Sequence, residues 1–249
     1  MPSDPSTVGS ALLWAAFFGV AFFYALVGHG GASGYLAVMA LANFPPETLK
    51  PTALGLNILV ASIGMVQFWR AGFFSWRLFW PFALGSVPMA FVGGYIQLPT
   101  GMFRRLLGAV LLVAAGRLAL RPPAEKSPRP TPFGAALAVG GAIGLLSGLT
   151  GTGGGIFLTP LVILAGWANA KPAAALSAAF ILVNSLAGLA GHLTATVRLP
   201  DDFLWIALAA GSGGLLGSYL GSRQVSPQNL KRLLAAVLLL AAAKLLLGA

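Results

Sequence analysis

The sequence contains no cysteine, which removes thiol chemistry and cysteine metal sites from consideration. It is also poor in charge. Only 8% of its 249 residues are charged, against roughly 25% in a soluble globular chain. Acids are scarcest: five Asp and Glu in all, and almost none inside an apolar run. Asp201 and Asp202 follow Pro200 at the edge of one. A membrane cation site or carboxylate proton relay therefore lacks its usual parts. Two lone histidines without core carboxylates do not make a catalytic set, and no three-ligand metal site is legible. No GK[ST] follows a glycine cluster, and Glu47 is the only acid spaced like a ribose ligand, behind a span-length helix rather than a strand. Phosphate-loop and dinucleotide enzymes are set aside. The start, "MPSDPSTVGS", lacks the basic region and cleavage site of a signal peptide, so the first apolar block is expected to be retained.

What is abundant is apolar surface: 57% of residues are hydrophobic. Residues 9–27, 51–69, 78–98, 106–120, 133–150, 172–191, 203–222 and 233–247 are nearly free of charge. A helical span takes about 20 such residues, whereas an outer-membrane barrel alternates over segments of about 10. The expected fold is an all-α polytopic membrane protein with 8–10 membrane segments. The net charge of +10 suggests nucleic acid, but the basic residues flank apolar blocks and form no patch. They read as headgroup anchors, with no nucleic-acid partner. Trp69, Trp76, Trp80, Trp167 and Trp205 near the segment ends read the same way.

The chain repeats itself. "VGHGGASGYLAVMAL" (27–41) matches "TGTGGGIFLTPLVIL" (150–164), and "KPTALG" (50–55) matches "KPAAAL" (171–176). "ILVASIG" (58–64) matches "ILVNSLAG" (181–188), and "FRRLLGAVLLVAAGRLAL" (103–120) matches "LKRLLAAVLLLAAAKLLL" (230–247). Two repeats, 1–120 and 133–249, are joined by the proline-rich charged linker 121–132. Each holds one full segment, a short one near 34–44 or 155–166, and three full ones. At 1.5 Å per residue the short segments cover roughly half the hydrocarbon.

Counting basic residues sets orientation. With inverted repeats, Arg70, Arg77, Arg117, Arg121, Lys126, Arg129, Lys171, Arg223, Lys231 and Arg232 share one face, against Lys50, Arg104, Arg105, Arg198 and Lys244 on the other. Parallel repeats leave the two faces nearly equal. The inverted arrangement is preferred, with the linker in the cytoplasm.

Both short segments follow a glycine cluster. Irregular backbone survives at membrane depth only inside protein or beside a watery cavity. A helix broken there presents the unpaired N–H groups of the next first turn, which attract anions. Transporters place such breaks at matched positions of two repeats. The expected contacts are Gly28, His29, Gly30, Gly31 and Ser33 in the first cluster. In the second they are Thr150, Gly151, Thr152, Gly153, Gly154 and Gly155. Thr52, Asn57, Ser177, Asn184 and Ser185 on the following segments would add hydroxyls and amides, or serve as interhelical glue. His29 is either protonated and anion-holding or neutral and bonded to a backbone carbonyl. Lys50 and Lys171 either recruit anions at the two mouths or snorkel to headgroups. Gly140, Gly144, Gly148, Gly213, Gly217 and Gly221 fit small-xxx-small packing faces instead.

These paired GxGG clusters, each followed by a short apolar segment in a duplicated chain, resemble the TauE/SafE-type sulfite exporter family over about residues 10–247. "GLTGTGGGIFLTPLVIL" is the more specific stretch. The first copy departs from it by an apparent insertion of Ala32 and Ser33 and by lacking a counterpart of Pro160. The resemblance implies transport of sulfur-containing anions, sulfite or organosulfonates, across the bacterial inner membrane. The reading is a secondary transporter working by alternating access, without cofactor or catalytic residues. Its rivals are an anion channel, a transporter of other organic anions, a membrane enzyme and a non-transporting scaffold. Direction, coupling ion and oligomeric state are not legible.

Overall fold

The computed structural model describes residues 5–96, 112, 116, 127–192 and 198–247. The 106–120 segment, part of the linker, and Arg104, Arg105, Arg117, Arg121 and Lys126 lie outside the described residues. So does the side chain of Lys244. The described residues form nine helices and no strand. The first four are α1 (Pro5–Leu26), α2 (Ala32–Leu41), α3 (Pro46–Arg70) and α4 (Trp76–Tyr95). They are followed by α5 (Phe133–Thr150), α6 (Gly155–Leu164), α7 (Ala170–His192), α8 (Phe203–Arg223) and α9 (Pro227–Leu247). α3, α4, α5, α7 and α8 are long and apolar enough to cross a membrane. α2 and α6 have 10 residues each, or about 15 Å.

Glycine decides how the helices meet. A methyl group at Gly213, Gly217 or Gly221 of α8 would overlap the carbonyls of Phe18, Phe22 and Leu26 of α1. Gly140, Gly144 and Gly148 of α5 meet those of Phe82, Ser86 and Ala90 of α4 in the same way. Partners advance four residues at a time on both helices, so each pair runs parallel, with glycine Cα–H groups aimed at carbonyl oxygens. Such contacts are worth about 0.5–1 kcal/mol each. In the α4–α5 seam the fit is reciprocal, because Gly85 and Gly93 of α4 abut the carbonyls of Leu137 and Leu145. The six glycines expected to pack do so.

α3 and α7 form the centre and run antiparallel. Leu54 lies near Gly188, Asn57 bonds Ser185, and Gly64 lies near Ala178. α7 is buried along most of its length, including Ser177, Asn184 and Ser185. Trp69, Trp76, Trp80 and Trp205 are about half exposed or more, as interfacial anchors should be.

The two short helices begin in register. α2 starts at Ala32 after Gly31, and α6 at Gly155 after Gly154, both caps having left-handed backbones (φ 100° and 79°) that favour glycine. Ala32 and Ser33 are therefore no insertion. They are the first two residues of α2, matching Gly155 and Ile156, and the short segment begins two residues before the expected 34. Pro160 sits inside α6, where the matching α2 residue is Ala37.

Candidate functional site

The two glycine breaks converge on the middle of α3 and α7. Gly30 of the first lies against Asn57 and Ile181. In the second, a side chain on Gly153 would fall 2.7 Å from Asn57 Nδ2 and 3.1 Å from Ser185 Oγ. Asn57 thus stands between both breaks, and its Nδ2 reaches Ser185 Oγ at 3.4 Å.

The first break is partly closed by side chains, the Gly30 and Gly31 N–H groups having no acceptor among the described residues. The Ala32 N–H, first donor of α2, bonds Asn57 Oδ1 at 3.1 Å, so a distant residue performs the capping that Gly31 cannot. Tyr35 donates its hydroxyl to the Gly30 carbonyl at 2.8 Å, and Ser33 Oγ pairs with Tyr24 OH at 2.9 Å. Gly28 fits tightly under the Ala174 carbonyl. His29 is buried with Nε2 2.8 Å from Thr159 Oγ1, a hydroxyl of α6 in place of the expected backbone carbonyl. Thr159 donates to the Gly155 carbonyl at 3.0 Å, so its lone pairs accept from His29 Nε2–H and from Ser177 Oγ–H at 2.5 Å. This polar knot ties the first break to the second half of the chain. His29 Nδ1 is buried with no partner among the described residues.

The second break is more open electrically. Gly151 N–H bonds the Ser147 carbonyl, ending α5, and Thr150 and Thr152 pair their hydroxyls at 2.8 Å. Beyond that point the N–H groups of Gly153, Gly154, Gly155 and Ile156 have no hydrogen-bond acceptor among the described residues. The capping residue Gly154 offers no side-chain acceptor, and it is packed by Ile143, Phe180 and Ser147. The sequence register explains the difference. Ile58 matches Ile181, so the residue matching Asn57 is Phe180, which carries no acceptor.

Further polar atoms lie buried around this centre. Thr52 Oγ1, Ser147 Oγ and Asn184 Oδ1 have no partner among the described residues, while Asn184 Nδ2 donates to the Phe180 carbonyl. An unsatisfied buried polar atom costs about 1–3 kcal/mol. Lys171 stands apart from the breaks, whereas the Lys50 side chain packs against Gly151 of the second. Lys50 Nζ donates to the Gly94 carbonyl at 3.4 Å, in the last turn of α4. Lys171 Nζ donates to the Ser222 carbonyl at 3.2 Å, in the last turn of α8, and lies over the Phe73 ring. Each cation therefore serves the negative end of a neighbouring helix, which accounts for a lysine in the first turn of α3 and of α7.

The sequence reading omitted Thr159, Tyr35 and Ser147. Thr159 carried a usable signal, as a hydroxyl in a short apolar helix requires a partner. Among the described residues no group of three His, Asp or Glu side chains is placed to hold a metal.

The family model described as sulfite exporter TauE/SafE matches residues 13–245. The chain is 41% identical to a probable membrane transporter protein, y4hK, of Sinorhizobium fredii, over 98% of this chain and 99% of that one. It is 26% identical to a probable membrane transporter protein, YjnA, of Bacillus subtilis, over 95% and 99%. No solved structure matches.

Proposed function

The chain belongs to the sulfite exporter TauE/SafE family and is a multi-pass inner-membrane protein, and from this we propose that it is a secondary transporter of a small sulfur-containing oxyanion, sulfite or an organosulfonate. The substrate is held by backbone N–H groups of the second break, with Asn57 Nδ2, Ser185 and the unpartnered hydroxyls beside it. The observation that carries this reading is the run of N–H groups from Gly153 to Ile156 without acceptors, at the start of a short helix buried in protein. Such donors favour an anion and give a cation nothing to bind. No chemistry is done on the substrate.

We read residues 1–120 and 133–249 as inverted repeats, supported by the antiparallel run of α3 and α7. Alternating access is then a rocking of the two bundles about this centre. Lys50 and Lys171, at opposite ends of the antiparallel pair, recruit anions one at each mouth. The linker is cytoplasmic. Glu125→Cys and Ser226→Cys, each introduced singly into this cysteine-free chain, should label from the same side of the membrane; labelling from opposite sides would overturn the inverted arrangement.

The transport reading is tested on purified protein by thermal shift against sulfite, sulfate, thiosulfate, ethanesulfonate and acetate, followed by counterflow in proteoliposomes. A ligand at 100 times its Kd adds about 2.7 kcal/mol of stability. Stabilisation by sulfite or ethanesulfonate, with counterflow and no unitary current, is the expected result. No response to any anion would refute the reading. Unitary currents would make the protein a channel, and a response to acetate alone would make it a carrier of other organic anions.

A further inference from the structure

Two neighbouring cations on α9 have opposite environments. Arg232 is exposed, as a headgroup anchor should be, whereas Lys231 is only 2% exposed. A lysine that merely anchors a helix keeps its ammonium in water, because burying the charge costs several kcal/mol unless the site compensates it.

Lys231 borders a narrow gap, too tight for a water molecule, lined also by Val27, Thr159, Ile163, Ala170 and Leu234. Val27 enters the first break, and Thr159 is the hydroxyl that joins His29 to Ser177. On the neighbouring face of α9 lies an open groove of about 630 Å³, bordered by Leu26, Gln224, Ser226, Asn229 and Arg232. The end of α1 separates the two spaces, Leu26 lining the groove and Val27 the gap. An exposed cation, a buried cation and the polar knot thus follow one another from the surface toward the breaks.

We infer that Lys231 is the inner cation of the anion path, a binding position reached from the Arg232 groove when α9 parts from α1 and α6. This rests on the anion-transport reading above. Lys231 already has a partner within the protein, and its ammonium takes up the anion as the gap widens. A charge-assisted hydrogen bond lost from such a position weakens binding at least about tenfold.

Ethanesulfonate affinity is measured by thermal-shift titration of the full-length wild type, Lys231→Gln, Lys231→Arg and Arg232→Gln. Lys231→Gln should raise Kd at least about tenfold, Lys231→Arg should restore most of the affinity, and Arg232→Gln should change it less than about threefold. A folded Lys231→Gln protein with wild-type affinity would overturn the inference while leaving the transport reading intact. A wild type that responds to no anion would instead refute the transport reading. If Lys231→Gln does not purify, acetylation of Lys231 in the wild type is followed by mass spectrometry with and without ethanesulfonate. Slowing by the anion supports the inference; an unchanged rate overturns it.

Discussion

The breaks at 27–31 and 151–154 are matched in register but differ in backbone, Gly153 being left-handed (φ 77°) where its counterpart Gly30 is not, and in how their polar groups are satisfied. Each ends a long helix, passes through a left-handed glycine and starts a 10-residue helix. In the first, Asn57 takes the leading N–H of the short helix, Tyr35 covers a carbonyl, and His29 reaches across to Thr159. In the second, Phe180 stands in the register of Asn57 and the leading N–H groups have no acceptor among the described residues. Left-handed glycines stand at 28 and 31 as at 151 and 154, while the backbone at Gly30 and Gly153 and the side chain at Asn57 and Phe180 differ between the copies. On the proposed reading, the first break acts as a fastener and the second as a receptor.

The largest expected effect tests the fastener. Gly28 and Gly151 hold matched positions with similar left-handed φ (77° and 71°), so alanine strains both by about 1–2 kcal/mol. They differ in what the methyl meets: the Ala174 backbone at Gly28, but the flexible Lys50 side chain, at 3.0 Å, at Gly151. Gly28→Ala should cost about 3 kcal/mol more, by overpacking against an atom that cannot yield. It should remove most monodisperse protein in size-exclusion chromatography, whereas Gly151→Ala survives with a modest fall in Tm. Equal losses would erase the distinction between the breaks.

Next in size is a change that separates the two roles of Asn57. Asn57→Asp keeps an acceptor for Ala32 and replaces the donor beside Gly153 with a carboxyl oxygen. Because position 57 is fully buried, the new carboxyl is desolvated and Tm should fall, while in the folded protein that remains ethanesulfonate Kd rises at least about tenfold in thermal-shift titration. Retained affinity would move the substrate away from the second break.

The smallest effect concerns the two lysines at the ends of α4 and α8. Lys171 has both a carbonyl and the Phe73 ring, at 5.0 Å, whereas Lys50 has the longer carbonyl contact. Lys171→Gln should therefore cost more stability than Lys50→Gln, by about 0.5–1 kcal/mol. If the lysines recruit anions, both variants should show a flatter dependence of anion uptake on salt than the wild type. Unchanged transport and salt dependence in both would leave them only their role at the ends of α4 and α8.

The glycine clusters, the short helices and the packing faces were legible because each is a local pattern: a density of glycine, a run length, a four-residue spacing. The start of α2 was misread because Ala32 and Ser33 look unlike Gly155 and Ile156, although helix position depends on the preceding left-handed glycine. The cap from Asn57 to Ala32 was illegible, since it joins residues on different helices. Asn57 reads in the sequence as a substrate contact or as interhelical glue, not as a cap. Lys231 and Arg232 both count toward one basic face in the sequence, because adjacent residues look alike there but face different surroundings on a helix.

The parallel glycine seams set a timetable for synthesis. α4 meets α5 after roughly 60 further residues, about 3–12 s at roughly 5–20 residues per second, whereas α1 waits roughly 200 residues, about 10–40 s, for α8. During that interval the carbonyl edge at Phe18, Phe22 and Leu26 lacks the glycine face of α8. The nascent chain therefore assembles from its middle outward, and its first helix is among the last to find its place.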